Sequence, residues 1–146
     1  MKLNLEQLKH ITTGAIDIKE EKGAFSFSRF TADQKKLYQF TNLDFYKKTH
    51  STSGVKLCFK TDSRNLFIKI KTSASTSRKY FSLDVLVNNA PVGYIDNFSD
   101  TVLARDYTKC EYSLGEFSKN FYLGDGEKNV CVHGSILQIA QSSATC

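Results

Sequence analysis

Val55-Lys56-Leu57-Cys58-Phe59-Lys60-Thr61-Asp62-Ser63-Arg64-Asn65-Leu66-Phe67-Ile68-Lys69-Ile70-Lys71 is the most regular stretch of the 146-residue chain. Successive side chains of a strand point to opposite faces, so Val55, Leu57 and Phe59 share one side and Lys56, Cys58 and Lys60 the other. Leu66, Ile68 and Ile70 repeat the pattern, with Lys69 and Lys71 outward. Asp62-Ser63-Arg64-Asn65 supplies the turn, and the whole reads as an antiparallel hairpin with one solvated face.

The same alternation continues on both sides. Tyr80 to Val87 sets Phe81, Leu83, Val85 and Val87 on one face; Asn88-Asn89-Ala90-Pro91 turns, and Val92 to Asp96 returns. Upstream, Ala24 to Ser28 is a half-buried strand. Thr31 with Gln34 three residues on forms a capping box that opens a helical turn over residues 31–38. Leu5, Leu8 and Ile11 fall at helical spacing. Downstream, residues 102–104, 107–114, 120–123 and 129–133 read as short strands, with Gly124-Asp125-Gly126-Glu127 a tight turn between the last two. Strands at intervals near ten residues predict an all-β fold: an antiparallel β-sandwich, jelly-roll-like, with a short N-terminal helix or docking segment. The reading is one domain, with an N-terminal segment (1–23), a sandwich (24–133) and a divergent tail (134–146). The 11 Phe and 7 Tyr fill its core in the absence of Trp.

Composition excludes several classes. The chain is 40% hydrophobic and 24% charged, too apolar for disorder, and one Pro and 8 Gly exclude collagen-like repeats. No apolar run approaches the length of a membrane span. Residues 1–79 carry 16 Lys+Arg against 7 Asp+Glu, and residues 80–146 carry 4 against 8. The basic residues come as pairs such as Lys35-Lys36 and Lys47-Lys48, without a nucleic-acid-binding motif, so interleaved strands are expected to neutralise each other. Met1 to Ile11 lacks the apolar core of a signal peptide, which points to the cytoplasm and to reduced thiols. The expected partners therefore exclude nucleic acid and membrane.

Chemistry is sparse. Cys58, Cys110, Cys131 and Cys146 form no C-x-x-C pair; Cys131 and His133 share a strand face, but isolated Cys and His more often pack beside a core than bind zinc. There is no Gly-x-Ser-x-Gly or Gly-Asp-Ser nucleophile. His133 with Ser135, and Cys131 with His50, are spacings common by chance. Asp62, Asp84, Asp96 and Asp100 fall at turns or on outward faces. No catalytic residue, metal site or cofactor is expected. Tyr94, Phe98, Tyr107 and Tyr112 are the candidate ligand-binding residues, because aromatics beside polar groups on a sheet face suit sugars. At least half of them packing in the core is the plainer alternative. Ile136, Leu137, Ile139 and Ala140 in the tail are expected as an edge strand that invites a homodimer, or else as the last strand of their own sheet.

Several segments in order carry a resemblance. They are Ile11-Thr12-Thr13-Gly14-Ala15, Phe27-Ser28-Arg29-Phe30-Thr31-Ala32-Asp33-Gln34, Ser53-Gly54-Val55-Lys56-Leu57, Phe59-Lys60-Thr61-Asp62-Ser63, Tyr80-Phe81-Ser82-Leu83-Asp84-Val85, Gly93-Tyr94-Ile95-Asp96 and Leu123-Gly124-Asp125-Gly126-Glu127-Lys128. From about residue 11 to 132 they resemble the N-terminal β-sandwich of bacterial SGNH/GDSL-type hydrolases. The resemblance implies a non-catalytic accessory module of carbohydrate esterases, contacting carbohydrate or a separate hydrolase domain. The Gly-Asp-Ser nucleophile and Asp-x-x-His pair of that family are absent, and the match breaks after Val132, as in a truncated gene product. The alternative is a self-sufficient small esterase with an unrecognised site.

Overall fold

The computed structural model describes residues 2–73, 80–98 and 112–134, and the backbone of 138–140. A short helix, α1 (Leu5–Ile11), leads into β1 (Thr12–Thr13), β2 (Asp17–Glu21) and β3 (Ala24–Ser28). Two helices follow, α2 (Ala32–Thr41) and α3 (Leu43–Lys48). Then come β4 (Lys56–Thr61), β5 (Asn65–Thr72), β6 (Ser82–Val87), β7 (Ala90–Asp96), β8 (Gly115–Tyr122), β9 (Lys128–Gly134) and β10 (Gln138–Ala140). The described strands form two five-stranded sheets, ordered β1-β4-β9-β6-β7 and β2-β3-β10-β5-β8, and every strand pairing within them is antiparallel. The fold is thus mostly β, as the alternation predicts.

The inward positions are those the period of two selects. Leu57, Leu66, Ile68, Phe81, Leu83 and Val85 are buried, and Phe59 packs partly buried against them. Both sheets contribute to one hydrophobic cluster, with Phe25, Phe27, Ile70, Phe121, Val130 and Val132 among its members. Leu8 of α1 is buried in the same cluster.

Pairing departs from the expected hairpin. Strands β4 and β5 do not pair: β4 lies between β1 and β9, and β5 between β10 and β8. Residues 62–64 therefore carry the chain from one sheet to the other. The turn after β8 does the same, since β8 and β9 belong to different sheets. Alternation fixes which face is buried, not which strand is the neighbour, so sequence period could not separate a hairpin from a crossover. The two links are tied together by Lys128, which is buried and donates from Nζ to the backbone oxygens of Ser63 (2.9 Å) and Gly124. Strands β6 and β7 are a true hairpin, turned by Asn88 and Asn89 at φ 49° and 67°, values at home in a type I′ turn.

Sheet structure begins before residue 24, since β1 and β2 lie in the N-terminal segment. The tail strand β10 is not an edge. It sits between β3 and β5, with Ile139 opposite both Phe25 and Ile70. The expected strands at 102–104 and 107–111 lie outside the described residues, and residues 112–114 are not strand.

Helices α2 and α3 hold themselves together. Thr31 Oγ1 accepts from Gln34 N (3.2 Å) while Gln34 Oε1 accepts from Thr31 N (3.0 Å), the capping box expected from sequence. Asn42 serves both helices: its N–H donates to Tyr38 O at 2.9 Å, and its Oδ1 accepts from Asp44 N and Phe45 N. Neither helix contains a buried residue.

Candidate functional site

Four expected ligand-binding residues are distributed unevenly. Phe98 and Tyr112 meet on a residue that was not among them, Tyr80, with ring centroids 6.0 and 5.8 Å away. Beside that cluster Asn97 accepts from Phe81 N and donates to Ser113 O, both at 2.9 Å, fixing the segment after β7 against the segment before β8. Tyr94 keeps other company. The Lys119 ammonium lies 5.2 Å from its ring centroid and donates to its backbone oxygen at 2.9 Å. Tyr107 lies outside the described residues. Tyr94 and Phe98 are both exposed, so packing in the core does not account for these two.

The outward face of the first sheet gathers polar residues in register. Lys56, His133, Asp84 and Tyr94 stand opposite one another across β4, β9, β6 and β7. Ser82 Oγ donates to Asp84 Oδ1 at 3.5 Å. Two residues along, Cys58 and Cys131 are cross-strand partners and form a disulfide, Cα to Cα 4.2 Å. This corrects the expectation of reduced thiols for that pair. Facing positions on paired strands bring cysteines 73 residues apart into reach, which spacing along the chain cannot reveal. It also removes Cys131 as a partner for His133 in a zinc site, and as a nucleophile for His50. Among the described residues no cluster of three metal-ligating side chains occurs. Ser135 lies outside the described residues.

A second polar place was not read from sequence. The outward face of β2 and β3 and the helix pair enclose a cleft of about 300 Å³ lined by Asp17, Lys19, Glu21, Ser28, Lys35 and His50, among others. Asp17 and Ser28 are cross-strand partners, and Lys19 Nζ lies 3.8 Å from Asp17 Oδ2. Ser28 Oγ donates to Phe30 O at 2.8 Å. His50 Nδ1–H donates to Tyr46 O at 3.2 Å, which leaves Nε2 of the neutral ring as an acceptor. Asp17, Ser28 and His50 come from three separate segments, and β2 was not recognised as a strand, so no local motif could have joined them.

The helix pair is the third place. Leu37, Phe40, Leu43 and Phe45 are 61%, 81%, 58% and 53% exposed, four large apolar side chains within nine residues. A short aromatic row adjoins them and ends on Phe45: Arg29 over Phe30, Phe30 against Tyr38 (6.0 Å), Tyr38 against Phe45 (6.2 Å), and the Lys48 ammonium 5.5 Å from the Phe45 centroid. Apolar residues at helical spacing ordinarily mark a buried stripe, so sequence reading alone would have placed them inside.

No protein-family model matches the chain, and no curated protein matches it. Among solved structures it is similar to a salicylyl-acyltransferase, SsfX3, from a tetracycline biosynthetic pathway, with a TM-score of 0.65 and 20% sequence identity. The match covers 93% of this chain but only 37% of that one. At this identity the likeness is one of fold. It overturns the resemblance to SGNH/GDSL hydrolases: the structural likeness is to an acyltransferase, and neither a link to that hydrolase family nor contact with carbohydrate is supported.

Proposed function

We propose that the chain is a non-catalytic accessory domain, a jelly-roll-like sandwich that works beside a separate acyl-transferring body. One observation carries the reading: nearly the whole chain corresponds to little more than a third of an acyltransferase. On this reading a separate body carries the chemistry, and the present chain positions it. The hydroxyl of Ser28 donates to the backbone oxygen of Phe30 and not to His50, which agrees with a binding rather than a hydrolytic use. The test is acyl transfer by the purified full chain, with p-nitrophenyl acetate and a salicylyl thioester as donors. Rates equal to buffer support the proposal; turnover above buffer overturns it.

A second reading, a small self-sufficient esterase, is favoured by the cleft that Asp17, Ser28 and His50 share. A base and a carboxylate beside a hydroxyl are the parts of an activated nucleophile. Turnover that disappears in Ser28→Ala would establish it.

A further inference from the structure

We propose that the α2–α3 pair is a docking surface for an anionic lipid bilayer. This inference is independent of the accessory reading, and it departs from the expectation that the chain has no membrane contact. No described helix is long and apolar enough to cross a membrane; the surface instead lies on one.

The starting point is an apolar excess without cover. Phe40 is 81% exposed on a helix whose ends are capped, so its exposure is a fixed property of an ordered element and not of a frayed end. Contiguous exposed apolar side chains on a soluble domain mark interaction surfaces. The charge around them selects the partner. Residues 29–50 hold five cations, Arg29, Lys35, Lys36, Lys47 and Lys48, against two carboxylates, Asp33 and Asp44. None of the five is in an ion pair among the described residues. Asp33 and Asp44 sit in the first turns of α2 and α3, where helix amides already favour a negative charge. The Lys48 ammonium rests against an exposed apolar ring, so a cation and an insertion residue are adjacent.

That combination disfavours a two-fold contact with a second copy, which would set the cationic patch against itself. An anionic partner is required. A bilayer suits this surface better than an acidic protein. The apolar side chains protrude from helices that pack chiefly on each other, and a lipid surface accepts protruding rings without a matching pocket. Aromatic and leucine side chains then enter the acyl boundary while lysines extend to the phosphates.

Co-sedimentation of the full chain with vesicles tests this. With roughly one-third phosphatidylserine in phosphatidylcholine the protein is expected to sediment at low salt and to be released at high salt. Pure phosphatidylcholine vesicles are expected to leave it in the supernatant. Phe40→Ser is expected to weaken binding about tenfold, the loss of one inserted aromatic. Lys47→Ser with Lys48→Ser is expected to weaken it about tenfold as well. Leu37→Ser serves as a second insertion variant should circular dichroism show that Phe40→Ser alters the fold. The proposal is overturned by no sedimentation with anionic vesicles, by equal sedimentation with uncharged ones, or by binding indifferent to both insertion variants. Capture by polyglutamate without capture by anionic vesicles also overturns it and assigns the surface to an acidic protein.

Discussion

The β body and the α2–α3 pair solve the problem of apolar residues in opposite ways. In the body, Leu83, Val85, Val130 and Val132 are at most 2% exposed, and order comes from burying them between strands. In the helix pair, Leu37, Phe40 and Leu43 face solvent, and order comes from Thr31, Gln34 and Asn42 satisfying helix ends. Isolated helices of six and ten residues are marginal in water, so these depend on caps, the aromatic row and Arg29 Nε donating to Ser51 O at 3.0 Å. One chain thus holds a region stabilised by packing and a region stabilised by local bonds that keeps its apolar side chains available.

Substitutions should separate the two regimes. Leu83→Ala leaves a cavity in the body and is expected to cost roughly 2–5 kcal/mol in urea unfolding. An effect below 1 kcal/mol would mean the body is not held by this cluster. Replacing Cys58 and Cys131 together by Ser frees a 73-residue separation in the unfolded chain and is expected to cost roughly 2–4 kcal/mol. Non-reducing peptide mapping should show the bridge directly in the parent. Asn42→Ala removes a cap and is expected to cost about 1 kcal/mol. That loss should appear as faster amide exchange over residues 32–48, with β-strand protection unchanged; uniform acceleration would show that the helix pair and the body unfold as one.

The smallest expected effect is on pH dependence. The hydrogen bond and charge of Lys69, 2.7 Å away, hold the Glu116 carboxyl below its usual range. A carboxyl lowered by folding contributes stability that is complete above its unfolded pKa and lost as pH falls through the folded one. The gap in stability between the parent and Glu116→Gln should therefore be slight near neutrality and close in acid, within the limits of an exposed pair. A gap that widens on acidification would contradict the sign.

How much was legible follows from the same contrast. Faces were readable because Leu57, Ile68 and Val85 repeat at intervals of two, and that period is local. Neighbours were not, because the partners of β4 are Thr12–Thr13 and Lys128–Gly134, set by the closing of the whole fold. The capping box at Thr31 was readable as four adjacent residues. Helix α3 was missed, since six residues, Leu43–Lys48, are too few for a helical period to stand out. Of the expected ligand-binding aromatics, Phe98 and Tyr112 both meet Tyr80, a residue that local reading did not connect with them. The cleft of Asp17, Ser28 and His50 was invisible because only the packing of the helix pair beside β2 and β3 assembles it.

Strand β10 gives the second sheet a particular order of events. Its three residues, Gln138 to Ala140, fill an interior slot between β3 and β5, more than sixty positions downstream of either. During synthesis at about 5–20 residues per second, β2–β3 and β5–β8 can each pair well before that slot is filled. Until residue 140 has left the ribosome, the facing edges of β3 and β5 carry unpaired amides and carbonyls, the kind of edge that recruits foreign strands. Those two edges therefore stay open throughout the synthesis of residues 73–137, and this is the nascent chain's aggregation-prone stage.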